Sequence, residues 1–160
     1  MEHKIVIDNL DTATLICPGC NRKRTLLLTQ YKIEKPVTRI RYRCGCKETF
    51  YAVLERKGQT AREMNLVGTC TSREEKHWSG RMTVKRLNAK GVTLMLNIRQ
   101  KIMAGNKLLL EFVLDDAKQS IVKKQVVVTA TDGSYVSAVF LSQEHFDNLG
   151  PYLFFNKLLG

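Results

Sequence analysis

Cys17-Pro18-Gly19-Cys20 and, after 23 intervening residues, Cys44-Gly45-Cys46 frame the stretch of sequence whose reading decides the fold. Each places two thiols around a glycine, so each can close into a tight turn that aims both sulfurs the same way. Zinc takes four soft ligands at tetrahedral corners about 2.3 Å away, and two such turns supply them. In a reducing compartment, cysteines spaced like this point to a metal and not to disulfides. Arg22, Lys23, Arg24, Arg43 and Lys47 flank the turns and would favour the thiolate form. Cys17, Cys20, Cys44 and Cys46 are therefore the expected metal ligands, and structural Zn²⁺ the expected cofactor. A redox-active CxxC is the competing reading, and it lacks the surrounding βαβ pattern.

Working outward, Thr25-Leu26-Leu27-Leu28-Thr29 reads as a strand, and Pro36 breaks the chain before the next one. Val37–Arg43 alternates, with Val37, Arg39, Arg41 and Arg43 on one side and Thr38, Ile40 and Tyr42 on the other. Thr49–Glu55 alternates again, with Phe50, Ala52 and Leu54 on one face. The expectation is a zinc-ribbon-like β module over residues 1–55, in which a hairpin carries one knuckle back to the other. Residues 56–62 have one apolar residue, Ala61, besides Gly58, and read as a linker.

Beyond it come six candidate strands rich in Val, Leu, Thr and aromatics: Glu63–Cys70, Gly80–Arg86, Gly91–Ile98, Lys107–Leu114, Ser120–Ala130 and Ser134–Leu141. The turn Thr131-Asp132-Gly133-Ser134 is the best hairpin signal, because glycine tolerates the positive φ of a tight turn. Short strands at this spacing predict an antiparallel barrel or sandwich. Ser142 is placed to cap a helix through Gln143, Glu144, His145 and Phe146, which Pro151 interrupts or restarts. The apolar tail Tyr152-Leu153-Phe154-Phe155 requires cover, from the open side of its own barrel or from a partner subunit.

The 160 residues are 44% hydrophobic and 26% charged, which suits one ordinary domain or one domain with a small appendage and excludes a disordered chain. No apolar run approaches the ~18 residues of a membrane span, and Met1–Ile16 lacks the apolar core of a signal peptide. The expectation is a cytoplasmic protein. A net charge of +11 favours an anionic partner, and residues 1–62 hold 13 Lys/Arg against 6 Asp/Glu.

Six strands with a basic lead-in, a glycine-containing loop after the second strand and a C-terminal helix together resemble a PilZ domain. The preceding CxxC and CxC ribbon is similar to PilZ proteins that carry an N-terminal zinc-ribbon-like module. The resemblance implies a six-stranded antiparallel β-barrel with a C-terminal helix over residues 56–160. It also implies a non-enzymatic bacterial signalling role, as a cyclic-di-GMP receptor or as an adaptor that binds a protein partner. The family's ligand signature is an Arg-x-x-x-Arg in the lead-in and Asp/Asn-x-Ser-x-x-Gly in the loop. Arginine forks clamp phosphates and guanine edges, and glycine lets the backbone approach the ligand. Here Lys57 and Ala61 stand at the two arginine positions, with Arg56 and Arg62 beside them. The loop reads Arg86-Leu87-Asn88-Ala89-Lys90-Gly91, with Arg86 at the acidic position and Asn88 in place of serine. The residues the resemblance assigns to cyclic-di-GMP are therefore Arg56, Lys57, Arg62, Arg86, Asn88 and Gly91. Losing two charge-assisted contacts of about 1.5–3 kcal/mol each would weaken such a ligand by on the order of 10²–10⁴.

Nucleic-acid binding is the alternative function. Arg39, Arg41 and Arg43 along one strand face, beside Tyr31, Tyr42 and Tyr51, have the makings of a phosphate-tracking surface with stacking rings, although alternation puts Tyr42 opposite the arginines. Catalysis is not expected. His3, His77 and His145 are scattered, Asp115-Asp116 falls in a turn, and a four-cysteine zinc keeps no open position for water.

Overall fold

A computed structural model describes residues 2–7, 11–31, 35–56, 63–72, 74, 77–97, 101–142, 145, 147–156 and 158. The fold is mainly β, with strands β1 (Glu2–Ile7), β2 (Thr12–Ile16), β3 (Lys23–Leu27), β4 (Val37–Arg43) and β5 (Thr49–Arg56) preceding six more. Those six are β6 (Leu66–Ser72), β7 (Trp78–Leu87), β8 (Gly91–Leu96), β9 (Lys107–Val113), β10 (Ile121–Asp132) and β11 (Tyr135–Phe140), followed by helix α1 (Leu149–Phe155).

Strands β6–β11 close into a barrel in the order β10-β11-β8-β7-β6-β9, and every neighbouring pair is antiparallel. Alternation along each strand turns Cys70, Met82, Val84, Leu94, Leu110, Phe112, Val126 and Ala138 inward to a dense apolar core. The expected six-stranded antiparallel barrel is thus the fold observed. The hairpin turn falls at Gly133, whose φ of 61° is the left-handed value that a tight turn needs.

Closure brings β6 against β9, and there Gly68 is indispensable. A Cβ at Gly68 would lie 2.0 Å from the Glu111 carbonyl oxygen and 2.7 Å from the Phe112 Cα, both backbone atoms that cannot rotate away. Gly68→Ala is expected to lower stability by about 3 kcal/mol, the upper end of overpacking costs. Val67→Ala next to it, on a side chain 64% exposed, should stay within about 0.5 kcal/mol of the parent. Urea unfolding compares the two, and a Gly68→Ala midpoint equal to the parent's would contradict this closure.

The C-terminal helix differs from its expected position. Ser142 and His145 are not helical, Gln143, Glu144 and Phe146 lie outside the described residues, and the helix runs from Leu149 to Phe155. Pro151 sits inside its first turn, where a missing N–H costs nothing because that turn's amides have no intrahelical acceptor. The helix buries Leu149, Tyr152 and Leu153 in the barrel core, so the tail covers its own barrel. Phe154 and Phe155 remain exposed, edge to face at 5.6 Å.

The N-terminal half is built from two hairpins and one added strand. β2 pairs with β3, β4 pairs with β5, and β1 lies parallel to β5 on the side away from β4. Ile7, Ala13, Leu15, Leu26, Leu28, Phe50, Ala52 and Leu54 form a second, smaller core. Neither β1 nor β2 has the strong periodic signature that marks β4 and β5, and the strand expected at Thr25–Thr29 begins earlier, at Lys23.

Candidate metal centre

The two hairpins place their turns face to face. Cys17 and Cys20 lie in the turn between β2 and β3, and Cys44 and Cys46 in the turn between β4 and β5. All four sulfurs fall within 4.8 Å of one another, with Cys17–Cys46 and Cys20–Cys44 Sγ distances of 3.6 Å. Four sulfurs about 2.3 Å from a central ion at tetrahedral angles stand about 3.8 Å apart, close to what is observed. A disulfide would need about 2.05 Å. The donor set can hold a metal ion and is compatible with zinc.

The shorter CxC turn works because it keeps the framework of the CxxC turn with one residue removed. In the first, the Cys17 carbonyl accepts from Asn21 N at 2.8 Å and Cys17 N donates to the Arg22 carbonyl at 3.0 Å. In the second, the Cys44 carbonyl accepts from Lys47 N at 2.9 Å and Cys44 N donates to the Glu48 carbonyl at 2.8 Å. In both, the residue after the second cysteine takes a positive φ, 60° at Asn21 and 77° at Lys47. Cys17 and Cys44 are buried, while Cys20 and Cys46 lie at the surface.

Electrostatics in the cluster also calls for a cation. A backbone N–H from Cys46 holds the Cys44 thiol down to about 7. The Cys46 thiol gains an N–H from Glu48, yet desolvation and the three other sulfurs push it up to about 12. The Cys44 thiolate is thus favoured and the Cys46 thiolate disfavoured, an imbalance that a bound cation would relieve. Cys70, by contrast, sits in the barrel core, where burial alone pushes its thiol up to about 12 and leaves it unreactive.

The six positions matched to the ligand signature fall differently. Lys57 and Arg62 lie outside the described residues. Arg56 ends β5 and Arg86 lies near the end of β7, and both guanidinium groups turn to the same acid, Asp11. Arg56 Nη1 pairs with Asp11 Oδ1, and Arg86 Nη2 stands 3.8 Å from Asp11 Oδ2. Thr29 completes the cluster by donating to Asp11 Oδ2 at 2.6 Å while accepting from Arg86 Nε at 3.3 Å. The side chains of Arg56, Arg86 and Asp11 are only 7%, 3% and 1% exposed.

A β-bulge explains how an arginine came to be buried there. Between Val84 and Arg86 the β7–β8 register slips by one residue, so Arg86 pairs with Thr93 and Leu87 with Val92. The side-chain period of a strand is two, so that slip sends Leu87 into the barrel and Arg86 onto its outer wall. The N-terminal module covers that wall. Asp132, at the end of β10, accepts from Leu27 N at 3.2 Å and from Arg24 Nη2 at 3.1 Å. Burial first, and then the Asp132 carboxylate, raises the Tyr31 phenol pKa at the same junction.

Asn88 and Gly91 have local tasks as well. The Asn88 side-chain oxygen accepts from Lys90 N at 2.8 Å and Gly91 N at 3.0 Å, folding the loop on itself. A Cβ at Gly91 would lie 2.2 Å from the Ala138 carbonyl oxygen, so β8 can start beside β11 only with glycine there. His145 Nε2 bonds the Ala89 carbonyl at 2.8 Å, and Ala89 N donates to the Leu158 carbonyl at 3.2 Å, tying the loop to the tail.

Sequence reasoning missed Asp11, Thr29 and Asp132 as junction residues. No local signal separates a buried acid at a module contact from an acid in a solvated turn, and the residues around Asp132 announce only its hairpin. The two knuckles and the closed barrel define a class of protein: a ribbon with a four-thiol centre fixed to an antiparallel six-stranded barrel. No protein-family model and no curated protein matches the chain.

Proposed function

We propose that this is a non-enzymatic bacterial signalling protein of the PilZ type, working as a protein-interaction adaptor in the cytoplasm and not as a cyclic-di-GMP receptor. Structural Zn²⁺ occupies the four-thiol centre and stiffens the ribbon that covers the barrel. The observation that carries the adaptor form is the shared engagement of Arg56 and Arg86 with Asp11. Guanidinium groups that would clamp a dinucleotide phosphate are instead turned inward onto the Asp11 carboxylate they share, with less than a tenth of each side chain exposed. Gly91 and Asn88 are accounted for by strand contact and loop folding. The exposed Phe154 and Phe155 pair offers an apolar contact for a protein partner.

Isothermal titration with cyclic-di-GMP tests this reading. The expected result is no heat at two temperatures with micromolar protein and ligand. Micromolar or tighter binding would replace the adaptor with the receptor.

A further inference from the structure

The β1–β5–β4 sheet has one face turned to its own core and one turned to solvent, and the two differ sharply in chemistry. Ile5, Ile7, Phe50, Ala52, Leu54, Ile40 and Tyr42 face inward, and Tyr42 meets Phe50 edge to face at 5.6 Å. The outer face carries Lys4 on β1, Tyr51 on β5 and Arg39, Arg41 and Arg43 on β4, all exposed. The ring that shares a face with the arginines is therefore Tyr51. It pairs in register with Arg41, while the Arg39 guanidinium lies over it, 4.6 Å from its centroid. Lys4 and Arg39 both pair with Val53, from opposite sides, so the cations run across the sheet as well as along it. The acidic residues of these three strands are Glu2 and Glu55, at the start of β1 and near the end of β5.

We propose that this outer sheet face binds single-stranded nucleic acid. Residues two apart on a strand are separated by about 7 Å, so Arg39, Arg41 and Arg43 present a straight, evenly spaced row of cations to an extended phosphate backbone. The Tyr51 ring and the guanidinium stacked on it supply a flat π surface in the middle of that row, and unpaired bases stack on both kinds of plane. A duplex keeps its base faces stacked inside and would use only the charges. The concentration of positive charge in residues 1–62 falls on the same module. This proposal concerns the ribbon alone and stands apart from the function assigned to the barrel.

The test is fluorescence anisotropy of the full chain, as purified, with a labelled oligothymidylate of about 20 nucleotides, a length that exceeds one typical site. Binding is expected to weaken steeply with salt, with a log–log slope of about −2 to −3 for three or four phosphate contacts at about −0.7 each. Arg41→Ala should reduce the slope magnitude by about 0.7. Tyr51→Ala should weaken binding about tenfold or more with the slope unchanged, and Tyr51→Phe should keep the parental affinity. Lys123→Ala, which removes an exposed cation on barrel strand β10, should change nothing. No anisotropy change at about 50 mM salt would overturn the proposal. So would equal losses from Lys123→Ala and Arg41→Ala, or duplex bound as tightly as single strand with Tyr51→Ala silent.

Discussion

Replacing Cys44 by serine is expected to abolish metal retention and melt the ribbon while the barrel stays folded. The reason lies in how little apolar material the N-terminal half owns. Among the described residues its core is built from ten buried side chains, and two of them, Cys17 and Cys44, belong to the four-thiol cluster. A module of some fifty residues with so small a core needs a staple, and for structural zinc the binding free energy is the folding free energy. Without the ion, the Cys44 thiol at about 7 and the Cys46 thiol at about 12 do not both ionise near neutral pH. Metal analysis of protein purified without added zinc should find about one equivalent in the parent and almost none in Cys44→Ser. Amide hydrogen exchange should then lose protection across β2–β5 and keep it across β6–β11. Full protection of the ribbon in the metal-free variant would rule out a structural metal.

Asp11→Ala is expected to cost about 3–5 kcal/mol, because it removes the carboxylate that two buried guanidinium groups share. The acid is reached by Arg56 and Thr29 from the ribbon side and by Arg86 across the module contact. Neither arginine can swing into water, since both are under a tenth exposed. Asp11→Asn is expected to fall between parent and alanine variant, keeping an acceptor for Thr29 but losing the charge. Urea unfolding followed by a probe in each half measures the effect, and it should separate the two transitions as the junction weakens. A loss below about 1 kcal/mol, the range of an exposed ion pair, would show that Asp11 does not hold the halves together.

Those two experiments mark where sequence reasoning succeeds and where it stops. The barrel is readable because its short strands are rich in Val, Leu, Thr and aromatics and its turns use residues with a local conformational purpose, such as Gly133 with its positive φ. The four-cysteine cluster is readable because paired cysteines around glycine have few uses besides gathering on a metal or forming disulfides. The helix was placed too early because Ser142 carries a capping side chain wherever it sits, and only packing of Leu149 and Leu153 into the barrel selects the later start. Strand β1 was missed because its pairing is parallel to a strand more than 40 residues away, a contact with no local turn to announce it.

By itself, the sequence determined the number and approximate place of the barrel strands, the four thiols and the basic side of β4, since these depend on residue type and near-neighbour spacing. Only the tertiary structure decided what the arginines do. One slipped register in β7 turns Arg86 outward, the ribbon folds over it, and Asp11 engages it together with Arg56. A charge's role depends on what lies within a few ångströms in space, and that is set by long-range packing that no stretch of chain encodes alone.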